Sequence, residues 1–215
     1  PQHKQILLIR DVVLDLQRRV SVMEERISYQ SRGGMKDGWC PDKLFMASEP
    51  MVYRYLYLLR YIKENDNILD IESGYGTGAD LLSQYAPIDN CLCLNSIDYY
   101  TRAGKMYYAS DYVTFQTGTL SEIAKKFCII TAFDENKTIL LNEADFQKLC
   151  DLLEFNGILA VAVDVEYKNN MHFLNEAEKY GLIVEEAFYQ NAGDAEFMDN
   201  CCERAVWIVY YRKNG

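Results

Sequence analysis

The sequence predicts an α/β fold with a seven-stranded, mostly parallel sheet and an antiparallel last strand. Short apolar runs alternate with segments of helical spacing from residue 53 onward. Some of these runs, such as residues 157–163, are apolar without a break, which is typical of strands buried on both faces. Strands that alternate with helices need crossover connections, and these place successive strands in parallel.

Each element follows from the same patterns. The expected strands cover residues 68–71, 91–94, 113–116, 127–133, 157–163, 182–188 and 205–211. The expected helices cover residues 53–61, 98–109, 141–154 and 171–180. Only the acidic stretch 190–203 separates the last two strands, so we expect them to form an antiparallel pair at the sheet edge.

The most informative segment is the turn between the first strand and the next helix. Asp70 lies near the carboxyl end of the strand, and Gly74, Gly76 and Gly78 follow it. Glycines at this spacing let the backbone turn sharply and approach a ligand closely. The helix that follows directs N–H groups at the same place, which suits an anionic or carboxylate group. We therefore expect a ligand-binding crevice here.

This order of elements resembles the class I S-adenosylmethionine-dependent methyltransferases, over about residues 45–212. Asp70, Gly74 and Gly76 match the acid and the G-x-G-x-G turn of that family. The resemblance implies a Rossmann-like sheet, S-adenosylmethionine as cofactor and methyl transfer as the activity. Residues 42–56 also resemble methyltransferase domains of bacterial surface-polysaccharide proteins, which often follow coiled coils.

Three positions depart from the family's pattern. Glu72 occupies the place of the first motif glycine. Its carboxylate is expected either to repel the cofactor's methionine carboxylate, by roughly several kcal/mol, or to turn to the amino group. Asn95 matches the acid that accepts both ribose hydroxyls, and its amide accepts only one such bond. Thr119 replaces the acid near the adenine amino group. The resemblance thus implies these cofactor-binding residues: Asp70, Glu72, Gly74, Gly76, Asn95 and Thr119.

Candidates for a catalytic base follow the fourth strand. Asp134 and Glu135 come directly after residues 127–133, and the carboxyl ends of parallel strands point into the crevice. The alternative is that both acids belong to a solvated helix-capping turn. Neither histidine, His3 or His172, falls at a strand end. Methyl transfer depends first on positioning, so the missing histidine is compatible with activity.

Residues 1–31 carry a heptad pattern. Apolar residues follow one another in steps of three and four: Ile6, Ile9, Val13, Leu16, Val20, Met23 and Ile27. The β-branched residues at every a position favour a parallel two-stranded coiled coil, and hence a homodimer. The alternative is a single amphipathic helix packed on its own domain. Residues 32–44 are then expected to form a linker or lid, and residues 45–215 the methyltransferase-like domain.

The composition of the chain limits the kinds of binding partner and the cellular location that we expect. The chain has 32 acidic and 22 basic residues and a net charge of −10, which disfavours a nucleic-acid partner. Its longest apolar runs are too short to span a membrane. The seven cysteines form no C-x-x-C pair, so no metal site is predicted and the cytoplasm is the expected location.

The chain also has 17 tyrosines, an unusual number for its length. Tyr99 and Tyr100 lie on the helix after the second strand, beside the expected crevice. One hypothesis is that they stack on a sugar or an aromatic acceptor. The alternative is that these rings cover the core with their hydroxyls at its rim.

Two functions remain open. The first is an S-adenosylmethionine-dependent methyltransferase acting on a small-molecule or saccharide acceptor. The alternative is a non-catalytic relative that serves as a dimeric scaffold or regulatory partner of a larger enzyme system. The fold cannot choose between them, because function depends on the site.

Overall fold

Strands alternate with helices in the computed structural model, which describes residues 49–134, 142–168, 171–191, 197–198 and 205–214. The strands are β1 (Asn67–Ile71), β2 (Asn90–Asn95), β3 (Val113–Thr117), β4 (Phe127–Ala132), β5 (Leu153–Asp164), β6 (Leu182–Asn191), β7 (Phe197–Met198) and β8 (Ala205–Lys213). The helices are α1 (Glu49–Leu58), α2 (Thr77–Tyr85), α3 (Asp98–Tyr107), α4 (Glu143–Leu152), α5 (Val165–Lys168) and α6 (His172–Asn175). Two 3₁₀ turns cover Leu120–Glu122 and Ala177–Tyr180.

These strands form a sheet in the order β3-β2-β1-β4-β5-β8-β6-β7. The pairs from β3 to β5 are all parallel. β8 runs antiparallel to both β5 and β6, and β6 pairs antiparallel with the two-residue β7. The seven predicted strands and the antiparallel last strand are therefore confirmed. β8 and β6 form the expected antiparallel pair on one side of the sheet, and the two-residue β7 beyond β6 was not predicted.

The apolar runs form strands because the sheet is covered on both faces. Residues 157–163 of β5 and all of 205–211 of β8 are buried. Phe146 and Leu149 of α4 pack into the core cluster with Val161 and Trp207. Each such side chain contributes about 1.5–3 kcal/mol when it is fully buried.

The prediction of one helix over residues 171–180 is wrong. The segment consists of the short helix α6 and a 3₁₀ turn, and it ends at Gly181 with φ 74°. Its buried residues recur at a spacing of three: Met171, Leu174 and Ala177. That spacing matches the three residues per turn of a 3₁₀ helix better than the 3.6 of an α-helix.

Some expectations fall outside the described residues. These are the coiled coil of residues 1–31, the linker or lid of residues 32–44, and Glu135. They stay predictions. Within the described ranges, none of the helices has both the length and the apolar character needed to cross a membrane.

Candidate functional site

The carboxyl ends of three neighbouring strands bring the predicted site residues to one edge of the sheet. β1 lies between β2 and β4, and Asp70 is level with Cys93 of β2 and with Thr131 of β4. Asn95 ends β2, and Asp134 follows the end of β4. In open α/β sheets ligands bind in the crevice beyond such strand ends.

The turn after β1 has the backbone conformation that its glycines predict. Glu72, Gly74 and Gly76 have φ angles of 49°, 58° and 87°, all in the left-handed region. A Cβ at Gly76 would come within 2.4 Å of the Phe115 ring, whereas one at Gly74 would meet nothing within 4 Å. Gly76 is thus required by packing, while the open face of Gly74 leaves the backbone accessible to a ligand.

Asp70 is wholly buried and bound by the protein's own donors. The Tyr55 hydroxyl donates to its two carboxylate oxygens at 2.9 Å, and Thr131 Oγ1 donates to Oδ1 at 2.6 Å. Burial, together with a smaller effect of the Asp134 charge, raises the pKa of Asp70 to about 6, against the lowering effect of the two hydrogen bonds. Asp70 therefore anchors Tyr55 beneath the turn and exposes no oxygen to the crevice.

Tyr55 in turn depends on Gly78. A Cβ at Gly78 would lie 2.0 Å from the Tyr55 ring, so the third glycine of the turn makes room for that ring. The Tyr55 ring also contacts Phe133 edge-on, with centroids 5.0 Å apart. α1 is thereby fixed against the start of α2.

Asn95 points into the protein. It is fully buried, its Nδ2 donates to the Gly74 carbonyl at 3.1 Å, and its Oδ1 accepts from Ser73 Oγ at 3.5 Å. Its own carbonyl accepts the Gly118 amide at 3.1 Å. We expected this amide to accept one ribose hydrogen bond. The structure uses it instead to tie the turn to β2.

Glu72 points outward along the end of β2. Its amide donates to the Leu94 carbonyl at 2.7 Å, and its Oε1 accepts the Ser96 amide at 3.0 Å. We expected this carboxylate to face the methionine end of the cofactor. The half-buried side chain lies instead at the carboxyl end of β2, one residue beyond Asn95.

The N-terminus of α2 holds a buried hydroxyl group, that of Thr77, without a hydrogen-bond partner among the described residues. Thr77 is 7% exposed, and its Oγ1 has no hydrogen-bond partner among the described residues. Gly76, the N-cap, supplies no side-chain oxygen to the first turn. A buried unpaired hydroxyl costs about 1–3 kcal/mol, so a ligand that bonds to Thr77 would recover that free energy. Sequence reasoning missed Thr77, although it lies between Gly76 and Gly78 of the predicted turn.

Thr119 makes only local contacts. Its Oγ1 lies 2.7 Å from Ser121 Oγ and donates to Glu122 Oε1 at 3.3 Å, and the side chain is exposed. These bonds close the 3₁₀ turn after β3. This geometry does not support the predicted contact between Thr119 and an adenine group.

A buried arginine, which the sequence did not reveal, contacts the chain just beyond the end of β4. Arg54 of α1 is almost completely buried, donates through Nε to Gln190 Oε1 at 2.8 Å, and donates through Nη1 to the Phe133 carbonyl. Asp134 comes next in the chain and is half-buried. An arginine among tyrosines on a helix gives no sign of burial, so no sequence signal would have found it.

Three tyrosines form a cluster beside the turn. The rings of Tyr75, Tyr99 and Tyr100 meet edge-to-face with centroids 5.2–6.2 Å apart. Tyr99 is 59% exposed, whereas Tyr108, the residue that follows α3, is buried in the core. Burial of Tyr108 agrees with a core role for some of the tyrosines, and stacking of the accessible Tyr99 ring on an acceptor stays a prediction.

Solved structures share this fold. A TehB-like S-adenosylmethionine-dependent methyltransferase from Corynebacterium glutamicum matches with a TM-score of 0.58 and 15% identity, over 92% of this chain and 100% of that one. The chain has a methyltransferase fold. An S-adenosylmethionine-dependent methyltransferase from Clostridium acetobutylicum gives a TM-score of 0.59 and 10% identity, over 79% and 93% of the two chains.

The N-methyltransferase NodS from Bradyrhizobium japonicum also has this methyltransferase fold, with a TM-score of 0.56 and 11% identity over 76% of this chain and 94% of that one. The sequence itself matches no family model and no curated protein. The predicted resemblance is confirmed for the fold. Function has to be inferred from the residues of the crevice.

Proposed function

We propose that the protein is an S-adenosylmethionine-dependent methyltransferase that acts on a small-molecule or saccharide acceptor. The observation that carries this proposal is the turn after β1, where residues 72, 74 and 76 all keep the left-handed backbone of a glycine-rich turn. This conformation persists although Glu72 is not a glycine. Holding a non-glycine residue there costs about 1–2 kcal/mol, so the rest of the turn over-determines it.

The N-terminus of α2 suits the carboxylate of the cofactor's methionine. The amides of the first turn and the positive end of the helix attract an anion. Thr77 Oγ1, buried there without a partner among the described residues, adds a hydroxyl donor. The open face of Gly74 lets the backbone approach the cofactor. When bound, S-adenosylmethionine supplies an electrophilic methyl group.

Asp134 is the proposed acceptor-side residue within the described part of the chain. It lies where β4 ends, near enough to Asp70 that its charge raises the pKa of Asp70. A carboxylate at this edge can hold or remove the acceptor's proton. Glu135 shares this role in the proposal. The proposal also includes a homodimer formed through residues 1–31 and a cytoplasmic location.

Calorimetric titration of the full chain with S-adenosylmethionine and S-adenosylhomocysteine tests the cofactor. We expect dissociation constants on the order of 10 μM, corresponding to about −7 kcal/mol. Methionine alone and adenosine alone serve as controls, and each is expected to bind far more weakly. Binding of neither cofactor form at millimolar concentration would overturn the proposal.

Activity is tested separately, by the release of S-adenosylhomocysteine in the presence of candidate acceptors. Asp134→Asn should leave cofactor affinity unchanged and lower turnover by about 10²-fold or more if its carboxylate handles the acceptor's proton. Arg212→Lys, at the opposite end of the sheet, is the matched control. Equal turnover of wild type and Asp134→Asn would remove the acid–base role and leave a methyltransferase that works by positioning.

A further inference from the structure

At the carboxyl end of β2, two side chains point in directions that their positions in the sequence did not predict. Asn95, which ends the strand, is sealed inside the protein against Gly74 and Ser73. Glu72, which stands in a turn of bare backbone, reaches the strand end and accepts the Ser96 amide at 3.0 Å. The end of β2 therefore holds a carboxylate that comes from the turn.

The Glu72 carboxylate keeps acceptor capacity. Its Oε1 accepts one amide hydrogen, and its other oxygen has no hydrogen-bond partner among the described residues. An ionised carboxylate offers about four lone-pair sites on its two oxygens. Two adjacent hydroxyl groups can therefore donate to it at once, in charge-assisted bonds.

Asp98, the first acid after β2 in the chain, is already engaged. Asp98, at the start of α3, accepts Thr117 Oγ1 at 3.2 Å on Oδ1 and pairs with Arg102 Nε at 2.9 Å on Oδ2. Asn95 is buried, and Ser96 offers one hydroxyl without charge. Among the described residues at this strand end, Glu72 is thus the acid with an oxygen to spare.

The backbone supports a binding role for this side chain. Glu72 is held at φ 49°, a conformation that costs a non-glycine residue about 1–2 kcal/mol. A strained residue persists where its surroundings fix it, and such residues concentrate at ligand sites. In this conformation the carboxylate lies at the end of β2, where it accepts the Ser96 amide.

We propose that Glu72 binds the 2′ and 3′ hydroxyls of the ribose of a bound nucleoside, with Asn95 acting only to position the turn. This inference rests on the proposed function, since it assigns the ribose contact of the same cofactor. It reverses the expected effect of Glu72: the carboxylate strengthens cofactor binding instead of repelling the methionine carboxylate.

The test compares S-adenosylhomocysteine with its 2′-deoxy analogue in calorimetric titrations of the full chain. Wild type should prefer the ribose form by at least about tenfold, which is 1.4 kcal/mol. Glu72→Gln keeps an oxygen for the Ser96 amide but loses the charge and gains a donor. This variant should bind S-adenosylhomocysteine about tenfold or more weakly and discriminate between the two ligands by less than about twofold.

Asp98→Asn is the matched control, because it removes a nearby acid whose oxygens are already paired, and its discrimination should equal that of wild type. Glu72→Asp, which keeps the charge but shortens the reach, should also lose discrimination. It supplies the same test if Glu72→Gln fails to fold.

The outcomes separate the two proposals. If wild type binds S-adenosylhomocysteine and the Glu72 variants bind and discriminate as wild type does, the ribose assignment is overturned and the proposed function stands. Loss of discrimination in Asp98→Asn instead would also overturn it. If wild type does not bind S-adenosylhomocysteine at all, the proposed function fails and the assignment fails with it.

Discussion

The crevice has a floor, made of Tyr55, Asp70, Asn95 and Thr131, and a rim, made of Glu72, Gly74 and Thr77. On the floor, the polar side-chain atoms bind other groups of the protein, as Asp70 does with Tyr55 and Thr131. On the rim, Thr77 Oγ1 and one oxygen of Glu72 have no partner among the described residues. Two acids only two residues apart thus have different uses: Asp70 stabilises the fold, and Glu72 is available to a ligand.

This difference predicts that floor substitutions lower stability and rim substitutions lower affinity. The largest expected effect is that of Gly78→Ala, beneath the floor. Its Cβ would lie 2.0 Å from the buried Tyr55 ring, which Asp70 holds in place. We expect the free energy of unfolding to fall by about 3 kcal/mol or more in urea denaturation.

Gly74→Ala is the control for that measurement. Its Cβ meets no atom within 4 Å, and only the left-handed φ of 58° opposes it. The expected loss of stability is about 1–2 kcal/mol. Gly78 itself has no positive φ, so equal losses in the two variants would mean that the Tyr55 ring shifts to admit the new methyl group and does not require a glycine at position 78.

Asn95→Asp should lower the free energy of unfolding by about 3 kcal/mol. The variant introduces the acid that the resemblance in the sequence implies at this position, but its carboxylate would face the Gly74 carbonyl, which now accepts a hydrogen bond from Nδ2. Denaturation and cofactor titration on the same sample measure both properties. Tighter cofactor binding without loss of stability would contradict this prediction, because Asn95 would then behave as a residue of the rim and not of the floor.

Asp70 should make stability depend on pH. Its pKa is raised from an ordinary value of 3.8 to about 6 by burial, so the folded state binds the proton more tightly than the unfolded state. This contribution is fully present below pH 4 and is lost as pH rises through about 6. The stability of wild type relative to Asp70→Asn should therefore fall by up to about 3 kcal/mol between pH 4 and pH 7.

Denaturation of both proteins at several pH values measures this difference and cancels other titrating groups. Thr131→Val removes the donor that lies 2.6 Å from Asp70 Oδ1, so the midpoint should move above pH 6 in that background. A pH-independent difference between wild type and Asp70→Asn would show that Asp70 is not closed off from water.

The smallest expected change in stability is that of Thr77→Val. Replacing a buried hydroxyl that has no partner among the described residues with a methyl group should leave stability unchanged or raise it by up to about 1 kcal/mol. Affinity for S-adenosylhomocysteine should nevertheless fall by about tenfold. Thr77→Ser, which keeps the hydroxyl, should retain wild-type affinity. A clear loss of stability in Thr77→Val would assign Thr77 to the floor.

The sequence predicted the sheet well because burial on both faces leaves continuous apolar runs, as in β5 and β8. The prediction of one helix was wrong at residues 171–180, which form a short helix and a 3₁₀ turn, and β7 was missed because it is too short to have a pattern. The position of β8 between β5 and β6 depends on pairing between distant segments. No local pattern records such pairing.

The sequence predicted where the site lies but not which contacts its side chains make. Asp70, Gly74 and Gly76 could be found because strand, turn and helix follow one another in the chain. The directions of Glu72 and Asn95 could not, since they depend on a positive φ at one residue and on the burial of the other. Arg54 was missed because its partners, Gln190 and Phe133, are remote in sequence.

The place of β8 in the sheet has a kinetic consequence. β8 pairs with β5 on one side and with β6 on the other, although it follows both in the chain. Before β8 pairs, the edge of β5 is unpaired and β6 has no partner that joins it to the main sheet, and pairing between remote segments is slow. A chain at that stage can pair its unpaired β5 edge with the last strand of another molecule. Refolding yield should therefore fall as protein concentration rises, because strand exchange competes with closure.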